Sequence, residues 1–331
     1  MTAAHDERVG GIVTTGTGGV WHVLADDGQE YEAALRGRLK KSDTGRRADG
    51  SIIRDTVYSA AHSVKLAVGD RVLLERDERQ RAWAIVEILP RTSRLARRAP
   101  GGGKGERVIV ANVDQVIVMF AAANPEPHPR MLDRFLVIAE ANDLAACIVI
   151  NKIELVGDRV AHDRFADYER AGYAVHFTSV KQGIGLAAVE SALDGRISVV
   201  SGPSGVGKSS LLNALFPGLG LRVAEISASV NKGQHTTVGA FLHPLPAPAH
   251  GAVVDTPGLR EIGLWEFPIA DLDSCFPELR GLRDQCKFSD CAHVTEPACA
   301  IRVAVDAGDV SRARYDSYLK LRNEIEEEKI A

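Results

Sequence analysis

Gly202-Pro203-Ser204-Gly205-Val206-Gly207-Lys208-Ser209, followed by Ser210, matches G-x-x-x-x-G-K-[ST] in full. That pattern binds phosphate. Glycines let backbone N–H groups curl around phosphate oxygens, the lysine reaches the β- and γ-phosphates, and the serine hydroxyl ligates Mg²⁺. Downstream, Asp255-Thr256-Pro257-Gly258 closes an apolar stretch. Asp255 at such a strand tip is expected to hold Mg²⁺ through water, and the Gly258 N–H to sense the γ-phosphate. Between them lies Lys232-Gly233-Gln234-His235-Thr236-Thr237. Read for its chemistry, a threonine of this loop, Thr236 or Thr237, is expected to close over Mg²⁺ and the γ-phosphate. Read blandly, it is a strand-entry turn. A Gly103-Lys104 pair has no following Ser/Thr or helix and is rejected as a phosphate loop.

Upstream, Asn151-Lys152-Ile153-Glu154 follows an apolar run at 145–150. In GTP-binding proteins Asn-Lys-x-Asp reads guanine, its carboxylate accepting hydrogen bonds from N1–H and the exocyclic amine, which discriminates against adenine. Here the carboxylate is Glu154, one methylene longer, and Asn-Lys after a strand is by itself a weak signal. Ser179 and Val180, in Thr178-Ser179-Val180, are expected to supply a backbone N–H to guanine O6.

Near the C-terminus Cys286-x₄-Cys291-x-His293-x₅-Cys299 offers three thiolates and an imidazole, the donor set of a closed, structural Zn²⁺ site. Arg283 and Lys287 are expected to offset part of its negative charge. The other cysteines, Cys147 and Cys275, lie apart from this cluster. The set therefore points to metal rather than disulfide chemistry.

The elements that must position these groups are visible in the pattern. The chain has 331 residues, 45% hydrophobic and 25% charged, an ordinary globular composition long enough for two or three domains. No stretch approaches the roughly 18 consecutive apolar residues of a membrane span, and the N-terminus has no signal-like apolar core, so a cytoplasmic protein without membrane contact is expected. Net charge is −4, which alone argues against a nucleic-acid binder. The charge divides, however: residues 1–105 carry 18 Lys+Arg against 14 Asp+Glu, and residues 106–331 carry 22 against 30. After a flexible tail at 1–7, residues 8–92 read as about five short strands, an OB-fold-like barrel carrying a basic loop at 40–54. RNA contact is expected there and at Arg91, Arg94, Arg97 and Arg98. A Gly-rich linker is expected at 93–106. From 107 to 270 apolar strands alternate with amphipathic helices, predicting a mainly parallel α/β sheet, and 271–331 reads as a metal-held, mainly helical domain.

The order of the motifs is informative. Ordinary GTPases place the phosphate loop first and base-reading loops last, whereas here Asn151 precedes Gly202. The domain is expected to be circularly permuted, which a closed sheet core tolerates because only connections change. The permuted order, the N-terminal barrel, GPSGVGKSSL, GQHTTV, DTPG and the terminal Cys/His cluster together resemble the RsgA (YjeQ) family over about residues 8–325. That resemblance implies a small-subunit-dependent bacterial GTPase with Mg²⁺ and one structural Zn²⁺. Its partners would be GTP/GDP, the small ribosomal subunit and its rRNA, and a monomer is expected. It also implies the guanine-reading role of Asn151, Lys152 and Glu154, and switch roles for Thr236 and Thr237 and for 255–258. Leu259 stands where Ras-like enzymes carry a water-orienting glutamine. The expected catalytic residues are therefore Lys208, Thr237 and His235, whose imidazole would orient water. A nucleotide-gated assembly factor with incidental hydrolysis, or a P-loop ATPase, are the alternatives.

Overall fold

The computed structural model describes residues 8–36, 65–77, 82–98, 106–221, 240–255 and 267–330. The basic loop 40–54, most of the Gly-rich segment, and His235, Thr236, Thr237, Gly258 and Leu259 lie outside the described residues.

Strands β1 (Val9–Thr17), β2 (Val20–Ala25), β3 (Glu30–Leu35), β4 (Arg71–Asp77) and β5 (Ala82–Ile88) close a barrel in the order β1-β2-β3-β5-β4. Alternation drives it: Val13, Val23, Ala33, Val72, Leu74 and Ile85 point inward and are fully or almost fully buried. Gly18 and Gly19 both have positive φ, as the tight β1–β2 hairpin requires. This is the small barrel expected from the sequence.

Its exit is pinned by charge. Arg91 holds Asp70 through two bonds of 2.7 and 2.8 Å, and Asp70 also accepts the Ala67 N–H at 2.7 Å. Residues 94–98, inside the expected linker, instead form β6 (Arg94–Arg98), paired antiparallel with β7 (Glu106–Ala111). Leu95 and Val110 of this ribbon are fully buried, so its apolar face belongs to the core and arginines mask the strand pattern. Residues 108–111 are thus part of a ribbon that bridges to Val68, just ahead of β4, and not of the large sheet.

That sheet contains β8 (Gln115–Ala121), β9 (Ala145–Asn151), β10 (Ala174–Phe177), β11 (Arg196–Ser201), β12 (Phe241–Pro244) and β13 (Gly251–Asp255). Its order is β10-β9-β8-β11-β13-β12, parallel except for the edge strand β12. Side chains alternate between two apolar layers. Val116, Val118, Phe120, Ile148 and Ile150 face α1 (Pro129–Glu140) and α2 (Asp158–Arg170); Ile117, Met119 and Val149 face α3 (Leu186–Leu193) and α4 (Lys208–Leu215). Helices α5 (Pro277–Arg283), α6 (Ala300–Ala307) and α7 (Arg312–Ile330) join the α1/α2 layer. Among the described residues no helix is long and apolar enough to cross a membrane.

Candidate functional site

Chain order runs from β8 outward to β9 and β10, then returns past β8 to β11. The direction therefore reverses between the neighbouring strands β8 and β11. The crevice beyond the carboxyl ends at such a reversal is where open α/β sheets bind ligands. Loops singled out in the sequence emerge there, namely Asn151 to Glu154 after β9, 178–180 after β10, 202–207 after β11 and Asp255 at the tip of β13, and segment 122–126 after β8 joins them.

The phosphate loop is shaped by close approach. Gly202 has φ 142°, and a Cβ there would meet the Met119 carbonyl oxygen of β8 at 1.9 Å. Gly207 has φ 98°, and its Cβ would meet Asn151 Nδ2 at 2.6 Å. Gly202→Ala should therefore cost about 1–3 kcal/mol of backbone strain in addition to displacing β8, and lower the melting temperature as read by circular dichroism. Lys208 and Ser209 open α4 and are buried. Lys208 Nζ donates to the carbonyls of Gly202 and Pro203 at 2.9 and 2.8 Å, curling back over its own loop. Burial pushes the Asp255 carboxyl up, and the Lys208 ammonium offsets part of that rise. A half-buried carboxylate at the tip of β13 and the serine that opens α4 are oxygen donors of the kind Mg²⁺ takes. Pro203, Ser204 and Gly205 form the outer part of the loop, Val206 is buried beneath it, and Ser210 continues α4.

The base-side motif is tied to the phosphate loop. Asn151 is buried; its amide donates to the Val206 carbonyl at 2.9 Å and its carbonyl oxygen accepts from Thr178 Oγ1 at 3.2 Å and the Val180 N–H at 3.3 Å. Asn151 thus braces three loops. Lys152, in the left-handed region at φ 63°, reaches the Gly205 carbonyl at 2.6 Å and the Asn124 carbonyl. The Ser179 N–H is engaged by the Ile184 carbonyl at 3.0 Å, which leaves the longer Val180 contact as the more readily exchanged donor. Glu154 Oε2 is buried with no hydrogen-bond partner among the described residues. An orphaned carboxylate oxygen is costly unless a ligand supplies donors.

One wall was not foreseen. Segment 122–126 follows β8, and a Cβ placed on Gly205 would meet Pro125 Cδ at 3.8 Å. It is fastened by Arg164, whose Nη1 donates to the Ala122 carbonyl at 2.9 Å and Glu126 at 3.0 Å. Its only sequence signal is its place after a fully apolar strand.

In the C-terminal domain the donor atoms of Cys286, Cys291, His293 and Cys299 lie within 4.8 Å of one another. The measured edges are 3.6 Å (Cys286 Sγ to His293 Nδ1), 3.4 Å (His293 Nδ1 to Cys299 Sγ) and 4.0 Å (Cys286 Sγ to Cys299 Sγ). Tetrahedral zinc, with Zn–S of about 2.3 Å and Zn–N of about 2.0 Å, needs edges of roughly 3.5–3.8 Å. The four groups can hold a metal ion of that size. His293 Nε2 faces Asp273 at 3.1 Å, so the carboxylate orients the imidazole with Nδ1 toward the thiols. Arg283 is drawn to this Asp273 at 3.3 Å rather than to the thiols, and Lys287 sits over the Phe288 ring at 5.4 Å. Asp273 is distant in sequence and carried no motif. Burial works against ionisation of Glu296, but the backbone N–H groups of Glu296, Ala292, Val294 and Thr295 pull its carboxyl down to about 2. It thereby fastens the turn between His293 and Cys299.

A sequence profile of the family described as RsgA GTPase matches residues 88–265. The small ribosomal subunit biogenesis GTPase RsgA of Gemmatimonas aurantiaca is 57% identical over 95% of this chain and 97% of its own length. The protein of the same name from Bacteroides fragilis is 35% identical over 96% and 98%. Among solved structures, YjeQ from Thermotoga maritima is similar with TM-score 0.75 and 33% identity over 96% of this chain and 99% of that one. YloQ, described as a circularly permuted GTPase, has TM-score 0.71 and 28% identity over 99% and 98%.

Proposed function

This chain belongs to the RsgA GTPase family, and from that premise we propose that it binds GTP in the β8–β11 crevice, hydrolyses it, and acts in late assembly of the small ribosomal subunit. The observation that carries the base assignment is the buried Glu154 Oε2, which has no hydrogen-bond partner among the described residues. Guanine presents two adjacent donors, N1–H and N2–H₂, to such a group; adenine offers an acceptor there instead. Lys152 flanks the same pocket, and Val180 supplies the N–H for O6. The backbone of 202–207 with Lys208, Ser209 and Ser210 takes the phosphates, and Mg²⁺ is held by Ser209 and Asp255, joined by Thr237. Mg²⁺ when bound screens the β- and γ-phosphate charge. Thr236 and Gly258 contact the γ-phosphate.

The metal at Cys286, Cys291, His293 and Cys299 is assigned as one structural Zn²⁺, since a closed Cys₃His set leaves no position for water. Functionally the chain divides into an OB-fold RNA-binding domain (8–92), a connector (93–106), a permuted GTPase domain (107–270) and the zinc domain (271–331), working as a monomer in the cytoplasm. The small subunit and its rRNA are the partners, met by the barrel, its basic loop and the Arg91 to Arg98 stretch.

With Leu259 in place of a glutamine, water must be oriented otherwise, and His235 beside the switch threonines is assigned that role. Intrinsic turnover is then slow until the subunit orders the loop. Co-sedimentation with purified small subunits should be stronger with a non-hydrolysable GTP analogue than with GDP, and His235→Ala should bind as wild type. Equal sedimentation with both nucleotides would contradict nucleotide-gated docking.

A further inference from the structure

Helix α7 contacts the metal turn and the base-reading half of the sheet at once. Tyr315 Oη donates to the His293 carbonyl at 2.5 Å, and Tyr318 Oη to the Ala292 carbonyl at 3.0 Å. Both carbonyls lie in the turn that carries the metal donors. From the same helix, Arg314 is buried against Glu278 of α5 at 2.7 Å and against Asp133 of α1. Its guanidinium stands over the rings of Phe276, Tyr168 and Tyr173 at 4.7, 5.2 and 5.8 Å. Ser311, just before α7, donates to Asp167 of α2.

These partners are not a random sample of the sheet. Helix α1 continues from the 122–126 wall, α2 continues from Asn151 to Glu154, and Tyr173 leads into β10 and thence 178–180. Every base-side loop is therefore one element away from Arg314 or Ser311. None of Arg314's described hydrogen bonds or ring contacts reaches α4 or β13, which carry Lys208, Ser209 and Asp255.

We propose that Arg314 is a positioning residue for guanine binding, coupling the metal turn to the base-reading loops through α7, so that metal retention and nucleotide binding tighten each other. The proposal rests on the guanine and zinc assignments above. A planar guanidinium shared by two carboxylates and three rings fixes direction as well as distance, which a lysine ammonium cannot do. With the metal in place, the 292 and 293 carbonyls are fixed and hold Tyr315 and Tyr318, and hence the seating of α7. Without it, those carbonyls are released and Arg314 no longer holds α1 and α2 in one register. Because binding free energies are linked, the factor by which zinc tightens GDP must equal the factor by which GDP tightens zinc. Because the coupling enters on the base side, GDP and GTP must gain alike.

The test uses the full chain loaded with zinc. Zinc affinity is measured by equilibrium competition with a chromogenic chelator, with and without saturating GDP, and GDP and GTP affinities are measured with fluorescent analogues before and after zinc is stripped. The expected coupling factor is about fivefold or more, the same in both directions and for both nucleotides. Arg314→Met and Arg314→Lys should reduce it towards one. Tyr318→Phe, which keeps the ring packing and removes only the hydroxyl, should lower it while zinc still binds stoichiometrically and circular dichroism is unchanged. Equal zinc affinity with and without bound GDP, or full coupling in both Tyr318→Phe and the Arg314 variants, would overturn the proposal. A chain that binds no GDP or no zinc would overturn the parent assignments and this one together.

Discussion

Cys299→Ser, or prolonged treatment with a strong chelator, yields a chain whose C-terminal domain melts in a separate, early transition while the parallel sheet stays folded. Between Leu279 and Ile301, Cys299 is the only buried apolar side chain. The turn that crosses this region therefore has almost no hydrophobic core and must be held by its ligands. The thiols of Cys286 and Cys299 lie 4.0 Å apart and both converge on His293, a donor set that a bound cation would draw together. Structural zinc sites contribute about 10–16 kcal/mol of binding free energy to folding, comparable with the whole stability of a typical domain. Metal content should fall from one zinc per chain to near zero. Calorimetry should resolve a low-temperature transition absent from the wild type. A single unchanged transition in the zinc-free variant would show that helix packing alone holds the domain.

Glu154→Gln is expected to exchange base preference rather than simply remove binding. In the proposed binding mode the carboxylate would accept from both N1–H and the amine of guanine, whereas an amide would accept one and confront the other with its own N–H₂. Each hydrogen bond to a charged group contributes about 1.5–3 kcal/mol, so GTP affinity should fall by about 100-fold or more. Xanthine carries an oxygen where guanine carries the amine, and a glutamine amide complements N1–H and that oxygen together. Xanthosine triphosphate should then bind the variant better than GTP does, and the wild type should show the reverse order. The native Oε2 has no hydrogen-bond partner to lose among the described residues, so thermal stability in the absence of nucleotide should hold or rise slightly. Isothermal titration with both nucleotides checks this. An unchanged GTP affinity would place guanine recognition elsewhere.

What could be read from the chain followed the locality of each signal. The phosphate loop is contiguous because one strand-to-helix turn supplies both backbone donors and lysine, and its glycines are forced by Met119 and Asn151. The metal donors fall within one short stretch for the same reason. Motif order alone carried the permutation, and the β11 position beside β8 bears it out. The missing pieces act across the fold. Asp273 reaches His293 and Arg314 reaches Asp133 only after helices pack, and neither has a spacing that a sequence window detects. Helix α7 reads as charged on most faces, yet it buries Arg314, Tyr315, Tyr318, Leu321 and Ile325. Its charge is thus partly internal, and hydrophobic periodicity misses it. Strand β6 is obscured in the same way by its arginines, with only Leu95 and Ala96 marking the buried face. Whole-chain net charge averages a basic N-terminal third with an acidic remainder, so it says little about either.

A guanine-specific hydrolase completed by the small subunit must depend on both the base and the subunit. Multiple-turnover hydrolysis of GTP and of ATP, each with and without purified small subunits, tests it most directly. GTP turnover by the chain alone should be slow and rise by orders of magnitude with subunits, a rise that His235→Ala should largely abolish, with no comparable ATP turnover. Equal use of ATP, or GTP turnover that subunits leave unchanged, would contradict it.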